Sequence, residues 1–166
     1  MDIKKNHLPL GEPINLILFD IGGVLIEFAG EQKLNEWLEG RMSRSELWDW
    51  YINSPAVYNF ETGQSKPEEF AVSIVDELSL PINSSEFLKE FITWFLGPFT
   101  GIKGLLNQLT QQFSLATLSN TNEIFWQRFG ATDIFDMFQM HFPSHQLGML
   151  KPNPEIYYHV INSTGL

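Results

Sequence analysis

The apolar run Ile14, Leu16, Ile17, Leu18 and Phe19 stops abruptly at Asp20-Ile21-Gly22-Gly23. No other junction in the chain narrows the fold as much. A short, nearly continuous apolar run closed by turn residues is the pattern of a strand buried on both faces, as in a parallel sheet. A second such run, Phe113–Leu118, ends at Ser119-Asn120-Thr121-Asn122, and a shorter one, Met140–Phe142, ends at Pro143-Ser144. Helical stretches lie between the second and third runs, so the pieces assemble as βαβ units. The expected class is α/β, with a Rossmann-like parallel sheet as its core.

From about Glu31 to Phe95 the pattern changes to helices throughout. Ser43 with Glu46, Ser65 with Glu68, and Asn83 with Glu86 each have capping-box spacing. Behind them run the apolar faces Leu47, Trp50, Tyr51; Phe70, Ile74, Val75, Leu78; and Phe87, Leu88, Phe91, Ile92, Phe95. Gly97-Pro98 and Gly101 punctuate the return to strand-helix order, and a further helix is expected from about Pro154 to Ile161. The organisation expected is a split α/β core, residues 1–27 and 97–166, interrupted by a helical insertion at 28–96.

Composition sets the outer limits. The chain has 166 residues, 43% of them apolar and only 18% charged, which is enough to build a core and excludes global disorder. It has no cysteine, which removes disulfides, thiolate metal sites and a cysteine nucleophile. Ten basic against twenty acidic residues give a net charge of −10. With no basic stripe to meet phosphates, nucleic acid and anionic membranes are not expected partners. Lys4 and Lys5 resemble the start of a signal segment, but Pro9, Gly11, Glu12 and Pro13 follow where its apolar centre belongs. No run approaches the roughly 20 apolar residues that span a bilayer. The expected location is cytoplasmic.

Three places carry polar chemistry at the ends of the buried runs. Asp20 sits at the carboxyl end of the first, where open α/β sheets bind ligands, and Gly22-Gly23 let the backbone turn sharply beside it. Ser119-Asn120 stand at the end of the second. Lys151 lies in Gly148-Met149-Leu150-Lys151-Pro152, ahead of the last helix. Each string alone has a plain structural explanation: a turn-opening Asp, a helix cap, a surface lysine. Their ordered combination has none.

That combination resembles the haloacid dehalogenase-like (HAD) hydrolase superfamily. Asp20, Ser119 and Lys151 match its first three motifs in order and approximate spacing. The local strings are similar to the subgroup containing a bacterial glucose-1-phosphate phosphatase and the N-terminal phosphatase domain of soluble epoxide hydrolases. The resemblance runs from about Leu16 to the end of the chain. It implies a Mg²⁺-dependent phosphatase acting on a small phosphate monoester, with a sugar phosphate among the candidates. Asp20 would be the nucleophile that becomes an aspartyl-phosphate. Ser119, Asn120 and Lys151 would hold the phosphate, and the Asp20 carboxylate and Gly22 carbonyl would hold the metal. The insertion would then be the family's helical cap.

Two departures qualify that expectation. The superfamily usually places a second Asp two residues after the nucleophile, as acid and base; here that position is Gly22. Loss of such help costs about 10² to 10⁴ in rate. Substrates whose leaving groups need little protonation, such as sugar 1-phosphates or acyl phosphates, are therefore favoured. The superfamily's fourth motif, a metal-binding Asp pair on a later strand, has no counterpart, because no Asp or Glu follows Glu155. Weakened Mg²⁺ binding follows, together with missing C-terminal strands and an exposed apolar edge on the first strand. Three accounts of that edge stay open: a truncated chain, a homodimer that covers it, or a rearranged monomer.

Two alternative functions accompany the phosphatase reading. One is a metal-independent 2-haloacid dehalogenase, which also lacks the second Asp; the other is a non-catalytic remnant that binds or oligomerises. His7, His141, His145 and His159 lack metal-ligand spacing and are assigned to packing or surface. Arg41 and Arg44 are read as solvated helix charge, and Trp37, Trp48, Trp50, Tyr51 and Phe60 as packing.

Overall fold

A computed structural model describes residues 14–165. The readings on Lys4, Lys5, His7, Pro9 and Gly11 to Pro13, and the first half of the core segment 1–27, lie outside those residues, as does Leu166. The first strand, β1, is Leu16–Phe19. A short β2, Ile26–Phe28, follows before the helices α1 (Gly30–Leu38), α2 (Arg44–Asn53), α3 (Pro55–Glu61), α4 (Pro67–Leu78) and α5 (Ser84–Thr93). The chain returns through β3 (Phe95–Pro98), α6 (Ile102–Leu109), β4 (Ser114–Ser119), α7 (Glu123–Gly130), β5 (Met140–Pro143), α8 (Ser144–Leu147) and α9 (Pro154–Thr164).

β1, β4 and β5 form a parallel sheet in the order β1-β4-β5. Parallel neighbours need a crossover long enough to return the chain to the same end, and α6 and α7 lie in those connections. Phe19 pairs with Thr117 and Ser119 with Pro143, so Asp20, Ser119 and Ser144 emerge side by side at one end of the sheet. Leu115 packs with Leu106, Phe129 and Phe138 on one face. Ala116 and Leu118 pack with Ile156 and Val160 of α9 on the other. Burial on both faces therefore holds for β4. It fails for β1, where Leu18 is 37% exposed: among the described residues β1 has a partner on one side only, so part of its length stays open to solvent.

The helices from Gly30 to Thr93 have their own core, with Leu38, Phe60, Phe70, Ile74, Phe87 and Phe91 at its centre. Capping boxes close α2 through Ser43 and Glu46, and α5 through Asn83 and Glu86. The third expected box is displaced by one residue. The Lys66 N–H donates to Glu69 at 2.9 Å, because Pro67 occupies the first helical position and fixes Lys66 as the cap. Ile92 is exposed, and Phe95 leaves the helical face to join β3 and the sheet core.

The antiparallel pair β2-β3 is absent from the sequence reading. Ile26 faces Pro98 and Glu27 faces Gly97, at the base of the helical insertion. Strands of three and four residues fall below the length at which alternation is legible, and Gly97-Pro98 reads as a breaker. The Ala29 N–H donates to the Trp94 carbonyl at 2.9 Å, closing the two crossings against each other. No helix among the described residues is long and apolar enough to cross a membrane.

Candidate active site

The turn after β1 is held by its own backbone. The Leu25 and Ile26 N–H groups both donate to the Ile21 carbonyl, and Gly23 N–H donates to Ile26. Gly23 has φ +73, a left-handed conformation that glycine adopts without penalty. This tight loop leaves the Gly22 carbonyl without a hydrogen-bond donor among the described residues. It also fixes Asp20, whose Oδ1 accepts from the Ile21 N–H at 2.7 Å.

The other Asp20 oxygen, Oδ2, lies 2.8 Å from Lys151 Nζ, with the two side chains 41% and 20% exposed respectively. Lys151 is itself clamped by Asn120. The Lys151 N–H donates to Asn120 Oδ1 at 2.8 Å, and Asn120 Nδ2 donates back to the Lys151 carbonyl at 3.0 Å. Both polar atoms of the Asn120 amide thereby bond the Lys151 main chain, and one of the two Nδ2 hydrogens is left over. The helix cap belongs instead to Asn122, which accepts from the Phe125 N–H at 3.1 Å. Ser119 is 3% exposed, and its hydroxyl donates to the Asn120 carbonyl at 3.3 Å, a long contact that an incoming acceptor can displace. Asp20, Gly22, Ser119, Asn120 and Lys151 all line one cavity of about 820 Å³ between the sheet end and the helical insertion.

The insertion contributes residues that sequence reasoning assigned to packing or passed over. The Tyr51 hydroxyl donates to Glu61 Oε1, and both line the same cavity. Burial pushes the Glu61 carboxyl up to about 7; the Tyr51 hydrogen bond and the Lys151 charge oppose that rise, and the Asp20 charge reinforces it. Burial likewise raises the Tyr51 phenol well above its ordinary value. Ser144, fully buried, ties insertion to core: its hydroxyl lies 2.6 Å from the Glu61 carbonyl and accepts the Thr121 N–H at 2.9 Å. Nothing in the strings around Glu61 or Ser144 announces these contacts, because the partners are 83 residues apart.

Trp48, Trp50 and Phe60 also line the cavity, whereas Trp37 packs against Phe87 and Trp94 and is not part of the lining. Arg44 pairs with Glu31 at 2.8 Å at the cavity's exposed side. Arg41 donates to the Leu38 and Ser79 carbonyls, a tie between helix ends. His141 stacks on Phe135 and contacts Thr117 Oγ1 at 2.9 Å, and His159 lies edge-on to Phe142, both packing roles.

No family model matches the sequence. BT-2542, a HAD family enzyme from Bacteroides thetaiotaomicron solved with magnesium and inorganic phosphate, superposes with a TM-score of 0.71 at 24% identity, over 93% of this chain and 80% of that one. The fold is that of the haloacid dehalogenase-like hydrolases. A HAD-like family hydrolase from Porphyromonas gingivalis gives 0.67 at 21% identity, covering 92% and 77%. The L-2-haloacid dehalogenase of Xanthobacter autotrophicus gives 0.59 at 18%, covering 93% and 66%.

Within this HAD-like fold, the fit to a metal can be judged from the ligands present. Among the described residues no group of three or more Asp, Glu or His side chains could hold a metal ion. The Asp20 carboxylate and the free Gly22 carbonyl are two hard oxygen donors on one loop. That set suits Mg²⁺, which commonly takes one or two protein oxygens and completes its shell with water and substrate phosphate.

Proposed function

We propose that this chain is a phosphatase of small phosphate monoesters, working through an aspartyl-phosphate on Asp20, with residues 28–96 acting as the cap over the site. The supporting observation is the Asp20–Lys151 pair at 2.8 Å, beside buried Ser119, opening into a cavity of about 820 Å³. A carboxylate nucleophile needs positive charge where the transferring oxygens gather, and positioning more than further covalent chemistry. Lys151 supplies charge, Ser119 a donor, and Asn120 holds the lysine in place. Mg²⁺, held by Asp20 and the Gly22 carbonyl, would neutralise further charge on the phosphate. The superposition with BT-2542, whose structure contains magnesium and phosphate, supports the same reading. The cavity size suits a small phosphorylated metabolite.

The test is phosphate release from a panel of sugar and alkyl monoesters, with Mg²⁺ and with excess chelator. The expected outcome is turnover that chelation abolishes. Halide release from a 2-haloacid that survives chelation would replace this reading with a dehalogenase. A folded protein inert on both panels would leave a binding role.

Asn120→Ala gives a narrower prediction. It removes both clamps on Lys151 and is expected to lower kcat/KM by about 10- to 100-fold, the scale of a misplaced catalytic group. Steady-state kinetics on the preferred ester, with the melting temperature as a folding control, checks it.

A further inference from the structure

Cleaving an alkyl phosphate through Asp20 leaves an alkoxide unless a proton reaches the ester oxygen. The water that later attacks the aspartyl-phosphate must lose one. Position 22 is glycine and supplies neither. Besides Asp20, two carboxyl groups among the described residues line the cavity, Glu31 and Glu61. Glu31 is exposed and occupied by an ion pair with Arg44 at 2.8 Å on the cavity's outer side. Glu61 is 7% exposed, at the last residue of α3, with its side chain fixed by Tyr51. Its main chain is fixed as well: Ser144 bridges the Glu61 carbonyl to the Thr121 N–H, two residues beyond Ser119. The charged or titratable groups acting on it are Tyr51, Asp20 and Lys151.

We propose that Glu61 of the insertion is the acid–base group of the site, standing in for the carboxyl that the Asp20 loop lacks. This inference rests on the phosphatase reading. As Asp20 attacks phosphorus, the P–O bond to the leaving group breaks and that oxygen takes the Glu61 proton, giving a neutral alcohol and a Glu61 carboxylate. Water then attacks the aspartyl-phosphate and its proton returns to Glu61, so Asp20 and inorganic phosphate are released and the site is restored. A buried carboxyl that titrates close to neutrality, at about 7, suits both halves of the cycle. It also removes the restriction to easily expelled leaving groups that Gly22 by itself imposes. A further consequence is that leaving-group chemistry depends on the insertion being docked.

The experiment compares Glu61→Gln with the unaltered chain on an alkyl phosphate and on p-nitrophenyl phosphate, whose leaving group needs no proton. Both are followed through the phosphorylating step by rapid quench. The expected loss on the alkyl ester is about 10² to 10⁴-fold, and at least tenfold smaller on the nitrophenyl ester. Infrared difference spectra of the metal-free protein at pH 6 should show a protonated-carboxyl band that E61Q lacks. Tyr51→Phe is the second variant. Removing the hydrogen bond that lowers the Glu61 pKa should move the basic limb of the alkyl-ester profile to higher pH. Equal losses on both esters, a missing carboxyl band, or an unmoved limb in Y51F would overturn the assignment while leaving the phosphatase reading intact. An unaltered chain that cleaves neither ester overturns both.

Discussion

Asp20→Asn is expected to abolish phosphate release, with a loss of about 10⁴-fold or more, because the carboxylate oxygen that would bond to phosphorus is gone. The substitution is nearly isosteric, and the Asn oxygen can still accept the Ile21 N–H that holds Asp20 at 2.7 Å. What changes is charge: Lys151 loses the partner 2.8 Å away. Little change in folding is expected, since the pair is partly open to solvent. The decisive measurement is acid quenching after mixing with ³²P-labelled ester. The unaltered chain should retain label on protein and D20N should not. Equal labelling of the two would place the nucleophile elsewhere and remove the basis for the proposed reaction.

The second large effect lies away from the reacting groups. Gly63 follows α3 with φ +73, and a Cβ there would stand 2.3 Å from the His145 carbonyl oxygen. Main chain, not a flexible side chain, blocks the space, so α3 and α8 must separate to admit even a methyl group. Left-handed strain contributes about 1–2 kcal/mol and the overlap adds to it, so Gly63→Ala is expected to cost about 3–5 kcal/mol. That corresponds to a melting temperature lower by roughly 10 °C. Gly148→Ala is the control. Its φ of +68 carries the same strain, yet nothing lies within 4 Å of the added Cβ. If the two variants melted together, contact between α3 and α8 would not be what holds the insertion to the core. Amide exchange should show the loss in G63A concentrated in α3 and around Ser144.

The sheet was legible because the run before Asp20 and the run before Ser119 are short, apolar and closed by turn residues. Parallel pairing then aligned their ends. Ser43–Glu46 and Asn83–Glu86 were legible because a capping box is local chemistry, complete within four residues. The box placed at Ser65 was one residue early, and the correction was present in the sequence, since Pro67 at the first helical position demands a cap at Lys66. Burial of the first strand could not be read in the same way. It depends on what lies beside β1, and no residue of β1 encodes its neighbour. The site divides along the same line. Asp20, Ser119 and Lys151 each sit at the end of a recognisable segment. Glu61, Tyr51 and Ser144 acquire their contacts only when α3 docks near the end of β5, and a buried Glu in a helix otherwise carries no signal of where it will sit.

The β2-β3 ribbon carries an evolutionary consequence. The chain leaves the sheet layer at Ile26 and re-enters it at Pro98, directly opposite, and Ala29 and Trp94 are bonded just above. Everything between is, topologically, one long loop with adjacent ends. A different bundle could be grafted onto the same two neighbouring positions without disturbing the strand connections beneath. Diversification can therefore rebuild the insertion's part of the cavity lining while Asp20, Ser119 and Lys151 stay where they are.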